Sequence, residues 1–195
     1  MKIRLLGASV GLAITFALPA LAAERNTDRP DFSEPGPIIT FDAPGAGTGE
    51  PVNGASQGTF PTNVNGLGVA IGYFVDANIV PHGFVRYPFG QVTTIDAPGA
   101  GMVPGQDQGT VPESINIEGT IAGQYQDTNF VFHCFLRYPD GHITTFDAPG
   151  AGTGQNQGSV AVGINLEGTI AGFTIDNNNV RHGFVRSPLG NLHLL

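Results

Sequence analysis

The most restrictive feature of this sequence is a segment that occurs three times. The copies begin at Gln57, Gln108 and Gln157, at spacings of 51 and 49 residues, and they align without gaps. Self-similarity at such a period indicates a repeat architecture in which each copy folds as one small unit and stacks on its neighbours. The shared positions include Asn65, Asn116 and Asn165; Gly72, Gly123 and Gly172; Asp76, Asp127 and Asp176; His82, His133 and His182; and Arg86, Arg137 and Arg186.

Each copy divides into four short extended segments. In the second copy these are predicted at 111–117, 120–126, 131–138 and 142–146, and the turn signals Glu118-Gly119 and Asp140-Gly141 separate two pairs of them. The segments are rich in Ile, Val, Thr, Phe and Tyr, which favour strands. We therefore predict an all-β fold of three four-stranded antiparallel units, at about 57–98, 108–149 and 157–195. The arrangement is predicted to be β-propeller-like, with a β-prism-like arrangement as the alternative.

A surplus strand is predicted before the first unit. Residues 36–42 match the fourth strand of the second unit, which occupies 141–147. Because each unit already has four strands, we expect no vacancy for this segment in its own chain, and an unpaired strand is adhesive. The sequence thus predicts a homo-oligomer in which 36–42 docks on another chain, or an open arc that a second copy completes.

Composition favours a packed chain over a disordered one. Gly and Pro number 29 and 15, but 41% of the residues are hydrophobic and only 12% are charged, which is the opposite of the balance in disordered chains. Acidic residues outnumber basic ones 16 to 8. This excess argues against a nucleic-acid partner, since phosphate contacts need Lys and Arg.

The first 22 residues are typical of a secretory signal peptide. Lys2 and Arg4 precede a mostly apolar run, and Ala20-Leu21-Ala22 places small residues where a signal peptidase cleaves. A flexible segment is predicted at 23–35, and the mature protein is predicted to be secreted or periplasmic in a bacterium. An uncleaved membrane anchor is the alternative; after cleavage we expect no membrane insertion.

The repeats resemble a family of bacterial extracellular repeats named HAF after a His-Ala-Phe core. The resemblance rests on the pattern Ser114-Ile115-Asn116-x-x-Gly119-x-Ile121-Ala122-Gly123 and on a following His133-x-Phe135. The core occurs here as His-Gly-Phe at 82–84 and 182–184, and as His-Cys-Phe at 133–135. The resemblance covers 57–195 and the predicted strand at 36–42, and it implies a secreted, propeller-like β-repeat protein without an established activity.

A second resemblance points to carbohydrate. Each unit carries Asp-x-Asn-x-Val-x-His or a close variant, which is similar to the mannose-binding strand Gln-x-Asp-x-Asn-x-Val-x-Tyr of monocot lectins. It implies a glycan partner, with Asp and Asn bonding sugar hydroxyl groups. The Gln and Tyr positions differ in all three units. The candidate ligand-binding residues are Asp76, Asn78, His82, Asp127, Asn129, His133, Asp176, Asn178 and His182.

The same residues could form a metal site or a calcium loop, but a structural role is the simpler interpretation of each. Three histidines could hold a metal ion, but in a propeller their third strands stand far apart, so we expect each imidazole to pack between sheets beside a carboxylate such as Asp127 or Asp140. Asp-x-Asn also opens calcium loops, but the Gly and Glu of such loops are missing. We expect instead turns in which Asp and Asn adopt the special backbone angles. No metal and no cofactor is predicted.

The favoured function is a secreted binding or scaffold module without catalytic activity. The polar residues recur in every unit, whereas catalysis gathers unlike residues once. A carbohydrate-binding, lectin-like protein is the first alternative, and a hydrolase with a site between units is the second. Length varies only in the connections 48–56, 102–107 and 153–156, which are predicted surface loops for an unknown protein partner. Each of these connections follows an Asp-Ala-Pro-Gly segment, which predicts a type II turn.

Cys134, the single cysteine, is predicted to be buried.

Overall fold

The twelve strands of the chain follow one another at short intervals with no helix between them, among the residues that the structure describes. A computed structural model describes residues 38–51, 54–106 and 108–195. The predicted signal peptide at 1–22, the flexible segment at 23–35 and the first two residues of the strand at 36–42 lie outside these ranges. The described part of the chain has no helix with the length and apolar character needed to cross a membrane.

Every strand is short, three to seven residues long, and the strands before β12 each end at a turn or connection that carries Gly, Asn or Asp. In the second copy the observed strands lie within two residues of the predicted boundaries. The strands are β1 Gly58–Val64, β2 Ala70–Val75, β3 Pro81–Arg86, β4 Val92–Ile95, β5 Thr110–Ile115, β6 Ile121–Gln126, β7 Phe132–Arg137, β8 Ile143–Phe146, β9 Gly158–Ile164, β10 Ile170–Ile175, β11 Arg181–Arg186 and β12 Leu192–Leu194.

Consecutive strands pair antiparallel in three sets of four, which we call the first, second and third quartets: β1–β4, β5–β8 and β9–β12. By hydrogen bonding the strands form two sheets, one of four strands and one of eight, and neither is closed into a barrel. The all-β class is confirmed. The second and third quartets are joined in one sheet, a connection that the sequence did not indicate.

The join is a single parallel bridge between β7 and β9, and a proline explains why it occurs once. Phe132 pairs with Gly158, and the Phe132 N–H donates to the carbonyl of Gln157 at 2.8 Å. The corresponding position in the first quartet is Pro81, which has no N–H to donate. The first and second quartets therefore meet through side chains and loops without a bridge.

The core lies between successive quartets. One apolar cluster packs Ile71 and Val85 of the first quartet against Ile121 and Phe135 of the second. A second cluster joins the second and third quartets, where Cys134, Leu136, Ala161 and Phe184 meet. Burying a phenylalanine contributes roughly 1.5–3 kcal/mol, so each quartet is stabilised by the next. The predicted burial of Cys134 is confirmed, since none of its surface is exposed.

The segment that precedes the first quartet packs on it without forming a strand. Residues 38–42 have no regular strand pairing, so the strand predicted at 36–42 is wrong for its described part. A strand needs a neighbouring ladder, and here the segment is held by side chains instead. Phe41 meets Phe84 edge-on at 5.8 Å between ring centroids, and the Ala43 N–H donates to Thr59 Oγ1 at 2.9 Å. The segment therefore packs on its own chain through side chains, although the described residues offer it no strand to pair with.

Candidate functional site

The Asp-x-Asn turns connect the second and third strands of each quartet, and their carboxylates are occupied by the turn itself. Asp127 Oδ1 accepts hydrogen bonds from the backbone N–H of Asn129 at 2.8 Å and of Val131 at 2.9 Å, while Oδ2 accepts one from Asn129 Nδ2 at 3.1 Å. The first turn repeats all three bonds, and the third repeats the two backbone bonds, at Asp76, Asn78 and Val80 and at Asp176, Asn178 and Val180.

These bonds stabilise the ionised carboxylates. For Asp127 partial burial opposes ionisation, but the backbone donors of Val131 and Asn129 outweigh it and hold the carboxyl pKa below its ordinary value. For Asp176 the backbone bond from Val180 is the largest contribution, and the pKa is again lowered. The aspartates therefore act as acceptors that fix the turn.

The special backbone angle of each turn lies one residue beyond the position that the sequence suggested. Positive φ values near 61° occur at Ile79, Phe130 and Asn179, and not at the preceding Asp or Asn, so that prediction is wrong. A β-branched or aromatic residue rarely adopts this angle. The side chain of Ile79 is buried, whereas Asn179 is exposed. Packing explains Ile79: its burial offsets backbone strain that an asparagine would largely avoid.

Each histidine lies beside the aspartate of its own turn, and two of them also contact the aspartate of the following connection. His133 Nδ1 lies 3.0 Å from both carboxylate oxygens of Asp147, and Nε2 lies 3.8 Å from Asp127 Oδ2. A carboxylate only accepts, so the proton of a neutral His133 sits on Nδ1. The ring stacks on Tyr125 at 5.0 Å. The prediction that Asp140 could be the carboxylate beside the histidine is wrong, because Asp140 accepts a hydrogen bond from the backbone N–H of His142.

The first and third quartets differ in this contact. His82 Nδ1 lies 2.8 Å from Asp96 Oδ1, and the ring stacks on Phe74 at 5.1 Å, as in the second quartet. Among the described residues His182 has one carboxylate neighbour, Asp176 Oδ2 at 3.2 Å from Nε2, and about half of its side chain is exposed. Asp96 and Asp147 thus each reach back to a histidine fourteen residues earlier in the chain.

The connections that open with Asp-Ala-Pro-Gly lie at the same edge as these turns. The Ala100 N–H donates to the Ala97 carbonyl at 3.0 Å and Gly99 has φ of 94°, which confirms the predicted type II turn. The connection then crosses to the next quartet, where the Gly101 N–H donates to Gln126 O at 2.7 Å. The equivalent bonds elsewhere are Gly47 N–H to Val75 O and Gly152 N–H to Ile175 O.

The variable part of each inter-quartet connection folds back over the turn of the preceding quartet. The Gly105 N–H donates to Asn78 O at 2.7 Å, and the Asn156 N–H donates to Phe130 O at 2.8 Å. We call the surface formed by the turns 76–80, 127–131 and 176–180 and the connections 42–57, 96–108 and 147–157 the loop edge. Residues 52–53 and 107 of these connections are outside the described residues. A cavity of about 160 Å³ opens on the loop edge beside His133 and Asp147.

Nine predicted site residues thus fall into three separate clusters, one per quartet. Within each cluster the turn aspartate contacts its histidine and its asparagine's backbone. No group of three or more His, Cys, Asp or Glu side chains that could hold a metal ion occurs among the described residues. Each cluster combines a histidine, one or two aspartates and a turn whose aspartate already accepts backbone hydrogen bonds. Such an arrangement can orient a loop.

The opposite edge carries two cavities that the sequence reasoning missed. One, of about 210 Å³, lies between the first and second quartets and is lined by Tyr87, Arg137 and Pro139. The other, of about 340 Å³, lies between the second and third quartets and is lined by the equivalent Tyr138, Arg186 and Pro188. Recurrence of Tyr at two of three repeat positions was a signal in the sequence, but only packing shows that both rings border a crevice.

The chain was compared with protein families, curated proteins and solved structures. It matches none of them. No family model matches the sequence, no curated protein does, and no solved structure does. The resemblances to HAF repeats and to monocot lectins stay predictions from the residues quoted above.

Proposed function

We propose that the chain is a secreted or periplasmic binding module, not an enzyme, and that its loop edge contacts a protein partner. The observation that carries this proposal is what the recurring polar groups of the repeats bond to. In all three quartets the turn aspartate bonds its own backbone, and in two the histidine bonds the connection aspartate. The repeated groups hold the loops in place and leave the loops themselves to make contacts.

The loops have the properties of a recognition surface on a rigid base. Their length varies while the strands keep their spacing, and the two connections between quartets are each held by backbone hydrogen bonds to the turn of the preceding quartet and to a strand end of the next. The edge is also acidic, since each turn and each connection contributes an aspartate. This charge favours a partner with a basic surface and disfavours nucleic acid.

We further propose that the quartets are successive blades of a propeller, with a prism as the alternative. Support comes from the first strands of the quartets, which lie side by side. Thr62 Oγ1 of β1 donates to Pro112 O of β5 at 2.7 Å, and Ser114 Oγ of β5 accepts from the Ile164 N–H of β9 at 3.2 Å. First strands that follow one another around an axis are the arrangement of propeller blades.

A photo-crosslinking amino acid at single exposed positions tests the proposed surface in the producing cells. Thr153 lies on the loop edge and Glu167 lies on the opposite edge, and both are exposed. We expect a protein adduct from position 153 that is lost when the neighbouring loop residues 154–156 are replaced by alanine, and none from position 167. Equal adducts from both positions, or none from 153, would contradict the proposal.

Carbohydrate binding is a second candidate, and the two equivalent cavities favour it. Both combine a tyrosine ring, on which a sugar can stack, with a guanidinium that can donate to hydroxyl groups, and both occur between adjacent quartets. The lectin-like Asp and Asn side chains already bond their own turns, so the cavities are the better location. A glycan array with the wild-type chain and with Tyr138→Ala tests this: binding that the substitution leaves unchanged places the sugar elsewhere, and absence of binding removes the candidate.

A further inference from the structure

The outer face of the third quartet is open where the equivalent faces of the other two are covered. Val80 and Val131 are 3% and 6% exposed because the next quartet and its connection pack over them, whereas Val180 is 50% exposed. Ala122 is fully buried by the third quartet, and its equivalent Ala171 is exposed. The third quartet therefore presents the surface that elsewhere receives a first strand and a connection.

Residues 38–42 lie on the first quartet as a fourth strand lies on the quartet that follows it. Phe146 of β8 packs edge-on against Phe184 at 6.3 Å, with the Arg186 guanidinium 4.7 Å from its ring centroid. Phe41 has the same relation to Phe84, and the Arg86 guanidinium lies 4.7 Å from its ring centroid. The segment thus holds the position of a preceding fourth strand.

The hydrogen bond that follows this position is also repeated. The Ala148 N–H donates to Ser159 Oγ at 2.9 Å, and the Ala43 N–H donates to Thr59 Oγ1 at the same distance. Within the part of the chain that the structure describes, residues 38–42 have no third strand to pair with. Ile38 and Ile39 are 94% and 74% exposed, although β-branched side chains favour a paired strand.

Two side chains are left without the partner that their equivalents have. His82 and His133 each contact the carboxylate fourteen residues later, Asp96 and Asp147. The described residues offer His182 only Asp176. Asp42 is the residue equivalent to Asp96 and Asp147, it is exposed, and no described side chain or backbone N–H donates to its carboxylate.

We propose that a second copy of this chain supplies the missing contacts. Residues 38–42 of one copy pair with β11 of the other, taking the place of β12, and Asp42 then reaches His182 across the interface. This contact goes beyond the proposed binding function and does not depend on it. Its two surfaces are different, so it is a head-to-tail contact, which closes into a ring of copies when the rotation permits.

The strand that residues 38–42 would displace, β12, is short and largely exposed. β12 has three residues, Leu192–Leu194, and the side chains of Leu194 and Leu195 are 52% and 85% exposed. Residues 38–41 are Ile-Ile-Thr-Phe, with three β-branched residues and an aromatic one, which fit a pleated ladder better. Phe41 is already seated on its own first quartet, so pairing orders few additional residues.

Light scattering on the protein expressed from the full sequence, at micromolar concentration, is the first test. We expect a mass of two or more copies. Asp42→Asn and His182→Asn should each raise the dissociation constant about two- to fivefold, since an exposed pair contributes modestly. Ile39→Pro removes a backbone donor and should give the monomer. Asp147→Asn, which alters the equivalent contact within the chain, is the control and should keep the mass.

Cross-linking locates the contact. Chains with Asp42→Cys and with His182→Cys are purified separately, mixed and treated with a short bis-maleimide; the buried Cys134 is shielded from the reagent. We expect a covalent dimer in this mixture and little when Asp42→Cys is mixed with Glu167→Cys. A strict monomer by scattering would overturn the proposal. So would cross-linking that is equal in the two mixtures, which would indicate a different interface.

Discussion

Asn65 Nδ2 donates a hydrogen bond to the main-chain carbonyl of Asn116, 51 residues further along the chain, at 3.0 Å. Asn116 Nδ2 donates in the same way to the carbonyl of Asn165 at 3.3 Å. The side-chain oxygens of these residues accept local backbone N–H groups and close their own turns, as Asn116 Oδ1 does from Thr120. One residue type thus closes a turn and ties it to the next quartet.

Asn116→Ala should cost more stability than Asn165→Ala. Both substitutions remove the bond that closes the local turn, but only Asn116 also donates to the next quartet, and it is 6% exposed whereas Asn165 is exposed. A net hydrogen bond contributes about 1 kcal/mol, so we expect a difference of roughly that size or somewhat more in the free energy of unfolding. Urea denaturation measures it. Equal losses would contradict the inter-quartet role of the amide.

Acid should destabilise the fold partly through Asp127. Its folded pKa is lowered from an ordinary value near 3.8, so the stabilisation is present above that value and is lost as the pH falls through the folded pKa. Asp127→Asn keeps an oxygen acceptor but cannot titrate. Between pH 5 and about pH 3 its free energy of unfolding should fall less steeply than that of the wild type. Parallel curves from denaturation at several pH values would contradict this.

The strands, the type II turns and the burial of Cys134 could be predicted because each depends on local pattern or on the chemistry of one residue. Asp127 could also be predicted as a carboxylate beside His133, but the closer partner, Asp147, could not. Asp147 follows His133 by fourteen residues and meets it only because β8 pairs beside β7. The positive φ of Ile79 was hidden for a related reason: local preference favours asparagine there, and packing overrides it. The bridge at Phe132 could not be predicted either, because it requires a backbone N–H at a position where the first quartet has a proline. The cavities at Tyr87 and Tyr138 form only where quartets stack.

Gly152→Ala should destabilise the connection between the second and third quartets. A Cβ at this position would collide with Gln157 Oε1 and lie 2.9 Å from the backbone carbon of Asp176, so the loop must shift. We expect a loss of about 1–3 kcal/mol. Gly163→Ala is the control: its Cβ would meet nothing within 4 Å, so the change should be neutral or stabilise by up to about 1 kcal/mol. Thermal unfolding of both variants measures the difference, and similar losses would contradict it.

Cys134 should resist thiol reagents while the protein is folded. Burial, the largest contribution, together with the nearby Asp147 carboxylate raises the pKa of the thiol, and its side chain has no exposed surface. An aromatic disulfide reagent at pH 8 should react with less than about a tenth of the protein in the time that suffices for complete reaction in denaturant. Rapid labelling of the native protein would show that the contact with Ala161 opens freely.

We infer that the recurring Asp and His groups shape the chain and do not bind a ligand. Thermal unfolding of the wild type and of Asp76→Ala/Asp127→Ala/Asp176→Ala, each with and without millimolar calcium, zinc or mannose, tests this most directly. We expect a lower midpoint of thermal unfolding for the triple variant and no shift in either protein with any additive. A ligand that binds the folded state would raise this midpoint. A rise of several degrees in the wild type that the triple variant abolishes would contradict it.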